Sequence, residues 1–183
     1  MIRARLTAAV LVLALGFTPA ARPALAGSAA EIDRDVNTAV AKMFDSVPNS
    51  RYLGQQARAV LVFPSIVKAG FLFGAQYGEG ALRTSSRTAG YYNTVAASYG
   101  LQAGVQSFGY ALFFMSDSAV RYLDSSGGFE LGTGPSIAIL DVGAARALTT
   151  TTLKSDIYAV FFDQRGLMAG AGLQGSKITR IDR

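Results

Sequence analysis

The sequence contains no cysteine, no histidine and no tryptophan. Disulfide bonds are therefore excluded, and so are zinc sites built from Cys and His, Ser-His-Asp triads and Cys-His dyads. A lipoprotein signal is excluded as well, because no cysteine can carry the lipid. We expect no metal and no cofactor, and the stability of the fold must come from packing.

Charged residues are also scarce, at 16% of the chain. The net charge is +5, from 17 Lys and Arg against 12 Asp and Glu. Arg3, Arg5 and Arg22 precede residue 27 and every acid follows it, so the chain from Gly27 onward has a net charge of +2. This near-neutral balance argues against a nucleic-acid partner.

The first 26 residues have the organisation of a secretory signal peptide. A short basic start precedes the apolar run Leu6 to Phe17, which is too short to span a bilayer, and Ala24-Leu25-Ala26 is an A-x-A cleavage site. We predict cleavage before Gly27 and export to the periplasm or envelope; an uncleaved anchor is the alternative. No later apolar run is long enough for a transmembrane helix.

Residues 27–56 are predicted to form a helical segment that belongs to one domain with residues 57–183. Ser28 and Glu31 make a capping box at the start of a helix over Ser28 to Ser46. Its polar face is net acidic, which favours packing on the domain over lying on a membrane surface. Pro48 ends this helix, and Asn49 to Gln56 is predicted to form a second one. The apolar stripe of the first helix comprises Ile32, Val36, Ala39, Val40, Met43 and Val47.

From Arg58 onward the pattern changes to short strands. We place strand ends at Pro64, at a Gly78-Glu79-Gly80 turn and at Gly100, and a short helix over Ser116 to Leu123. The predicted fold class is α+β: a curved antiparallel sheet of about eight short strands that could close into a barrel-like form, with an N-terminal helical pair and one internal helix. The predicted strands are Ala59–Phe63, Phe71–Tyr77, Ala81–Thr84, Tyr91–Ser98, Leu101–Phe114, Phe129–Leu131, Ser136–Leu140 and Thr149–Thr152.

The C-terminal region is predicted to form a hairpin in the middle of this sheet. Ile157 to Phe162 is apolar on both faces, which is typical of a fully buried strand. Asp163 to Gly166 is predicted to be the turn, and Leu167 to Gln174 the return strand. Gly170 to Gly175 matches G-x-G-x-x-G, but the alternating residues that follow do not predict the helix a nucleotide site needs, so structural glycines are favoured.

Four motifs, in order, resemble the SYLF domain, a lipid-binding family of bacteria and eukaryotes. They are Asp156 to Ile181 (DIYAVFFDQRGLMAGAGLQGSKITRI), Ala57 to Phe71 (ARAVLVFPSIVKAGF), Gly100 to Gln106, and Gly134-Pro135-Ser136. The resemblance covers roughly residues 35–183. It implies binding of membrane lipids; some eukaryotic members favour phosphoinositides and some bind actin. Actin is not expected here, because the A-x-A signal suits a bacterial exporter.

The basic residues are the candidate lipid-phosphate ligands, because Lys and Arg donate charge-assisted hydrogen bonds to phosphate. Lys68 comes first, since it matches the lysine of the family's F-P-S-x-x-K-A-G signature. Ile66, Val67 and Phe71 are expected to be exposed beside it and to contact acyl chains. The other candidate lipid-binding residues are Arg58, Arg83, Arg87, Lys177 and Arg180; solvated surface charge is the alternative for each.

The sequence thus predicts a secreted, non-enzymatic protein of the bacterial envelope that binds membrane lipid. A structural or protein-interaction module of the envelope is the alternative. A catalytic carboxylate pair is a further alternative, but the acids are scattered and several fall in predicted turns.

Overall fold

The computed structural model describes residues 27–85, 87–125, 129–130, 134–140, 145, 153–166 and 176–183; for residues 71–72 and 98–103 only the backbone is described. The predicted signal peptide and the predicted strands at 149–152 and 167–174 lie outside these residues. The elements are α1 (Ala29–Ser46), α2 (Ser50–Gln56), β1 (Ala59–Thr84), β2 (Arg87–Phe114), α3 (Asp117–Leu123), β3 (Phe129–Glu130), β4 (Ile137–Leu140), β5 (Ile157–Gly166) and β6 (Lys177–Ile181).

Helix α1 begins at the predicted capping box. The backbone N–H of Glu31 donates to Ser28 Oγ at 3.3 Å, and the Glu31 carboxylate accepts from the Ser28 backbone N–H at 2.8 Å. The hydrogen bonds that this carboxylate accepts from the Ser28 backbone N–H and from the Ser28 hydroxyl lower the pKa of Glu31. The predicted apolar stripe faces the sheet, with Val36 and Met43 fully covered and Val40 half-buried. Local sequence signals therefore set both the start and the inner face of α1.

The other two helices also lie where the sequence predicts them. Asn49 precedes α2 in a left-handed conformation with φ 57°, and its side-chain amide donates to the Ala145 carbonyl at 2.9 Å. Ser116 caps α3 by accepting from the Ala119 backbone N–H at 3.2 Å. Leu123 of α3 is buried, so this helix covers the sheet as expected.

Strands β1 and β2 form one long antiparallel ribbon, where several short strands were predicted. The pairing runs from Ala59 opposite Phe114 to Thr84 opposite Arg87. The predicted strand end at Pro64 and the predicted turn at Gly78–Gly80 are wrong, since β1 continues through both. Pro64 falls at a shift of the register instead, and such irregular places in a strand tolerate proline although it lacks the N–H donor.

This ribbon bends back on itself near its middle, between Gly70 and Gly74. A β-carbon on Gly70 would overlap the backbone of Gly74, and one on Gly80 would overlap the carbonyl of Val62. The two halves of β1 therefore approach at backbone contact, which only glycine permits. The register also shifts at the bend, where β1 advances from Phe71 to Phe73 while β2 advances by four residues.

Strand β2 runs through both sides of the bend, and the bent sheet as a whole forms a half-barrel. The strand order is β3-β6-β2-β5-β4, with β1 also paired to β2. The first part of β2 pairs with β6, and its last part pairs with β5. Because β1 and β2 each serve in both halves, the described sheet has eight strand segments, which agrees with the predicted curved sheet. One pair differs: β4 and β5 are parallel, so the sheet is mixed at that edge.

Strand β5 confirms the prediction of a strand buried on both faces. Residues Ile157 to Val160 are all buried. The strand runs on to Gly166, so the turn predicted at 163–166 is wrong at that position. Asp163 and Gly166 do have positive φ values of 49° and 107°, which mark irregular backbone within the strand end.

Two apolar clusters lie on opposite faces of the sheet. The interior cluster fills the concave side and is closed by α3. The helix-covered cluster lies on the convex side beneath α1 and α2. The interior cluster includes Leu61, Phe63, Ile66, Tyr92, Phe108, Tyr110, Phe114 and Phe129. The helix-covered cluster includes Val36, Met43, Leu53, Val62, Phe113, Tyr158 and Val160.

Candidate functional site

Near the bend, the convex face carries exposed apolar side chains, and neither α1 nor α2 covers it there. Side chains alternate along a strand, so the neighbours of the interior residues Ile66, Gln76, Thr94 and Gln106 point outward. We call this surface the apolar tip. Its members, with their exposed fractions, are Val67 (49%), Phe73 (70%), Tyr77 (48%), Val95 (47%) and Val105 (61%).

The apolar tip lies in the part of the chain that has no charge. No Asp, Glu, Lys or Arg occurs from Ala69 to Gly78 or from Thr88 to Ser116. Exposed apolar patches on a protein surface often mark places where a partner or a membrane binds. The tip is therefore the first candidate for a functional surface.

Cations stand at the borders of the tip, one in each half of the sheet. Across the strands, Tyr77 is paired with Val95 and Val95 with Lys177. In the other half, Val67 is paired with Ser107 and Ser107 with Arg165. Both cations are exposed. Each row thus runs from an apolar side chain on β1 to a positive charge on an outer strand.

Lys68 lies beside the tip but on the concave side. It is half-buried and directly opposite Gln106, which is only 5% exposed and whose Oε1 accepts no hydrogen bond. Nearby, Gln76 donates to Ser176 Oγ at 2.9 Å, and Tyr110 donates to Thr94 Oγ1 at 3.3 Å. The end of the interior next to the bend is therefore polar.

A second candidate lies between α1, α2 and the two ends of β1. This cavity, which we call the arginine cleft, has a volume of about 600 Å³. Its apolar lining includes Val40, Met43, Phe44, Val60 and Val62, and its cations are Arg51, Arg58 and Arg83; among the described residues, no carboxylate lines it directly. The cleft is thus apolar within and has guanidinium groups at its rim, each paired with an aspartate outside the lining.

The three arginines of the cleft are held to different degrees. Arg83 is 23% exposed, donates to Asn37 Oδ1 at 2.6 Å and lies 3.5 Å from the Asp33 carboxylate. Arg51 pairs with Asp45 at 3.3 Å and stacks over the Phe44 ring, with its guanidinium carbon 4.8 Å from the ring centre. Arg58 lies 3.9 Å from Asp117, and both of these side chains are largely exposed.

A third cavity, of about 440 Å³, lies between α1 and the sheet. Its lining carries both signs of charge, including the Lys42 to Asp163 ion pair at 3.2 Å and Arg165. These neighbours lower the pKa of Asp163, with the hydrogen bond from Lys42 as the largest cause. A lining of this kind does not favour one sign of ligand.

Several carboxylates considered as catalytic candidates hold the fold together. Asp156 accepts from the Ser136 hydroxyl at 2.8 Å, and Asp124 accepts from Tyr92 at 2.7 Å and from Arg180 at 3.3 Å. Asp141 lies outside the described residues. Within the described ranges, no group of carboxylates is arranged to hold a metal ion.

The predicted site residues fall into separate places. Arg58 and Arg83 line the same cleft, because the bend of β1 brings its two ends together. Arg180 lies apart, bound to Asp124 and the Ala89 carbonyl. Arg87 is exposed at the start of β2, and Lys177 borders the tip.

One expectation about the neighbours of Lys68 is wrong. Ile66 is fully buried in the interior cluster, because alternation lets only one of two adjacent residues point outward, and that residue is Val67. The side chain of Phe71 lies outside the described part of the chain. Sequence reasoning missed Arg51, Arg165, Phe73, Tyr77, Val95 and Val105; the long charge-free stretch was the available signal for the last four.

The architecture is a domain with an exposed apolar surface and an open cleft on a curled sheet. No helix in the described residues is long and apolar enough to cross a membrane. Residues 95–182 match the family model Ysc84, described as "Las17-binding protein actin regulator". The chain is also similar to Protein YSC84 of Saccharomyces cerevisiae, with 27% identity over 134 residues. That match covers 69% of this chain and 28% of the relative, so this chain spans less than a third of the yeast protein.

These two matches support membership of the SYLF family, which the ordered motifs predicted. They support a lipid- or protein-interaction module and nothing more specific.

Proposed function

We propose that this protein is a secreted, non-enzymatic envelope protein that attaches to anionic lipid membranes through the apolar tip. The observation that carries the proposal is the set of exposed apolar side chains of the tip, bordered by Lys177 and Arg165. Two carboxylates also lie at this border: Glu79, which accepts from Tyr77, and Asp163, which pairs with Arg165. A surface that enters the region between head groups and acyl chains needs apolar side chains without charge, with cations level with the phosphates. Lys68 contributes a further charge from the concave side.

The expected energies are sufficient for reversible attachment. Burial of one large apolar side chain such as Phe73 contributes about 1.5–3 kcal/mol. Each Lys or Arg near an anionic surface adds about 1 kcal/mol. Several apolar side chains and two or three cations together support binding that is reversible and sensitive to salt.

The test is co-sedimentation of residues 27–183 with liposomes, neutral against anionic, at low and high salt. Val105→Asp puts a charge into the tip. Ile139→Asp is the matched control, because Ile139 is 56% exposed but lies on β4, away from the bend. We expect Val105→Asp to weaken binding at least about tenfold, since a charge in the apolar layer is costly. Ile139→Asp should bind like the unchanged protein.

The apolar and the electrostatic contributions to liposome binding can be separated in the same assay. Replacing both Lys177 and Arg165 by Ala should reduce the preference for anionic liposomes and flatten the salt dependence. Equal binding of Val105→Asp and the unchanged protein would overturn the proposal. So would equal losses for Val105→Asp and Ile139→Asp. If the unchanged protein does not bind liposomes, the alternative is favoured, in which the tip is a surface for a protein partner.

A further inference from the structure

The arginine cleft lies at the far end of the sheet from the apolar tip. The cleft is built on the two ends of β1, around Val60 and Arg83, whereas the tip surrounds its middle. At roughly 3.3 Å per residue, the strand from Val62 to Gly70 covers about 25 Å. A ligand in the cleft would therefore be separated from a membrane that the tip touches.

From its shape and charge, we infer that the cleft binds a single anionic amphiphile: one hydrocarbon chain with a phosphate or carboxylate head group. The apolar lining from α1 and β1 suits a hydrocarbon chain, and the volume of about 600 Å³ is in the range of small-molecule sites. The three arginines, with no carboxylate among the described lining residues, favour an anionic head that replaces their aspartate partners. Guanidinium groups bind phosphate and carboxylate oxygens through paired N–H donors.

The arginines are available for such a head group. The pairs Arg51–Asp45 and Arg58–Asp117 join largely exposed side chains, and ion pairs of that kind contribute little to stability. Either arginine can therefore exchange its partner for a ligand oxygen at small cost. Arg83 differs, since Asn37 and Asp33 fix its position, so it supplies a pre-oriented charge.

This inference goes beyond membrane attachment, because it requires a second site that takes the amphiphile out of the bilayer. Binding at the cleft does not depend on the tip. The two sites can therefore fail or succeed separately in experiments.

The experiment is calorimetric titration of residues 27–183 with dodecyl phosphate below its micelle concentration. Inorganic phosphate alone and dodecyl maltoside supply the head and the tail separately. We expect one dodecyl phosphate per protein, and much weaker binding of either partial probe. The double variant Arg51→Gln/Arg58→Gln should weaken dodecyl phosphate at least tenfold. Arg121→Gln, which removes an exposed charge from α3, is the matched control and should leave binding unchanged.

Three results would overturn the inference: no binding of dodecyl phosphate, equal binding by the double variant, or an equal loss in Arg121→Gln. Val105→Asp should keep full binding in this titration. Loss of liposome binding in Val105→Asp with dodecyl phosphate binding intact would support two separate sites. Intact liposome binding by Arg51→Gln/Arg58→Gln, together with its loss of dodecyl phosphate binding, would also support two separate sites.

Discussion

Glu79 connects three parts of the chain, and its replacement should measurably destabilise the fold. Its carboxylate accepts from the Tyr77 hydroxyl at 2.7 Å and from the Gly27 backbone N–H at 3.0 Å, and it also pairs with Arg183. The Glu79 side chain is only 11% exposed and that of Arg183 21%. The carboxylate therefore holds both Gly27 before α1 and Arg183 after β6 to strand β1.

Glu79→Gln keeps the shape but removes the charge and one acceptor oxygen. A hydrogen bond to a charged group contributes about 1.5–3 kcal/mol, and the loss of one partner of a largely buried pair leaves the other charge uncompensated. We therefore expect a loss of about 2–3 kcal/mol of unfolding free energy at neutral pH. Urea unfolding followed by circular dichroism should show a lower midpoint with an unchanged slope.

The effect should depend on pH in a defined direction. Burial alone would raise the pKa of Glu79, but the hydrogen bonds from Tyr77, Arg183 and Gly27 outweigh it and lower the pKa. A lowered pKa stabilises the folded state above the carboxyl's ordinary value near 4.5, and this stability is lost as the pH falls through the folded-state pKa. The difference between Glu79→Gln and the unchanged protein should therefore shrink in acid.

The control is Asp35→Asn, which breaks the exposed pair with Arg34 and should change stability by no more than about 0.5 kcal/mol. Equal stability of Glu79→Gln and the unchanged protein at neutral pH would refute the role of the carboxylate. A difference that persists unchanged in acid would refute the electrostatic explanation.

Two further predictions concern the backbone. Gly80→Ala should lower the free energy of unfolding by about 1–3 kcal/mol in urea unfolding, because its β-carbon would overlap the Val62 carbonyl. The control is Gly54→Ala, whose β-carbon would lie 3.5 Å from Phe44. It should leave the stability unchanged or raise it, because alanine favours the helix α2. Ser28→Ala should lower the unfolding free energy by about 1 kcal/mol through loss of the capping box, and no change in the thermal midpoint would show that α1 is held by packing alone.

The sequence predicted the elements whose signals are local. The capping box at Ser28 and the cap at Ser116 mark where α1 and α3 begin, and the run from Ile157 marks a buried strand. Each of these depends on residues within one or two turns. The distant contacts that these elements make agree with the local signals, as in the pairing of β5 with β2 and β4.

The predictions failed where distant residues decide the backbone. Gly78 and Gly80 were interpreted as a turn, but they serve the close approach of Ile66 and Val62 from the other half of β1. Local sequence cannot separate these two uses of glycine, since both need the missing β-carbon. Pro64 was interpreted as a strand end for a similar reason, although a register shift accommodates it.

The candidate sites show the same limit. Arg58 and Arg83 were predicted as single residues, and only the bend of β1 brings them to one cleft. Ile66 and Val67 were both expected outside, whereas the pleat sends them to opposite faces. The chemistry of each side chain, charged or apolar, was foreseeable from the sequence. The face on which it lies and the residues beside it depend on how the sheet folds.

The position of β6 has a consequence for the order in which the protein is made. Strand β6, residues Lys177–Ile181, lies between β2 and β3, although β2 is synthesised more than sixty residues earlier. The first half of β2 therefore has an unpaired edge during synthesis, until β6 emerges. Unpaired edges of apolar strands invite association between chains. A nascent chain of this protein should accordingly be most prone to association with other chains in the interval before β6 is in place.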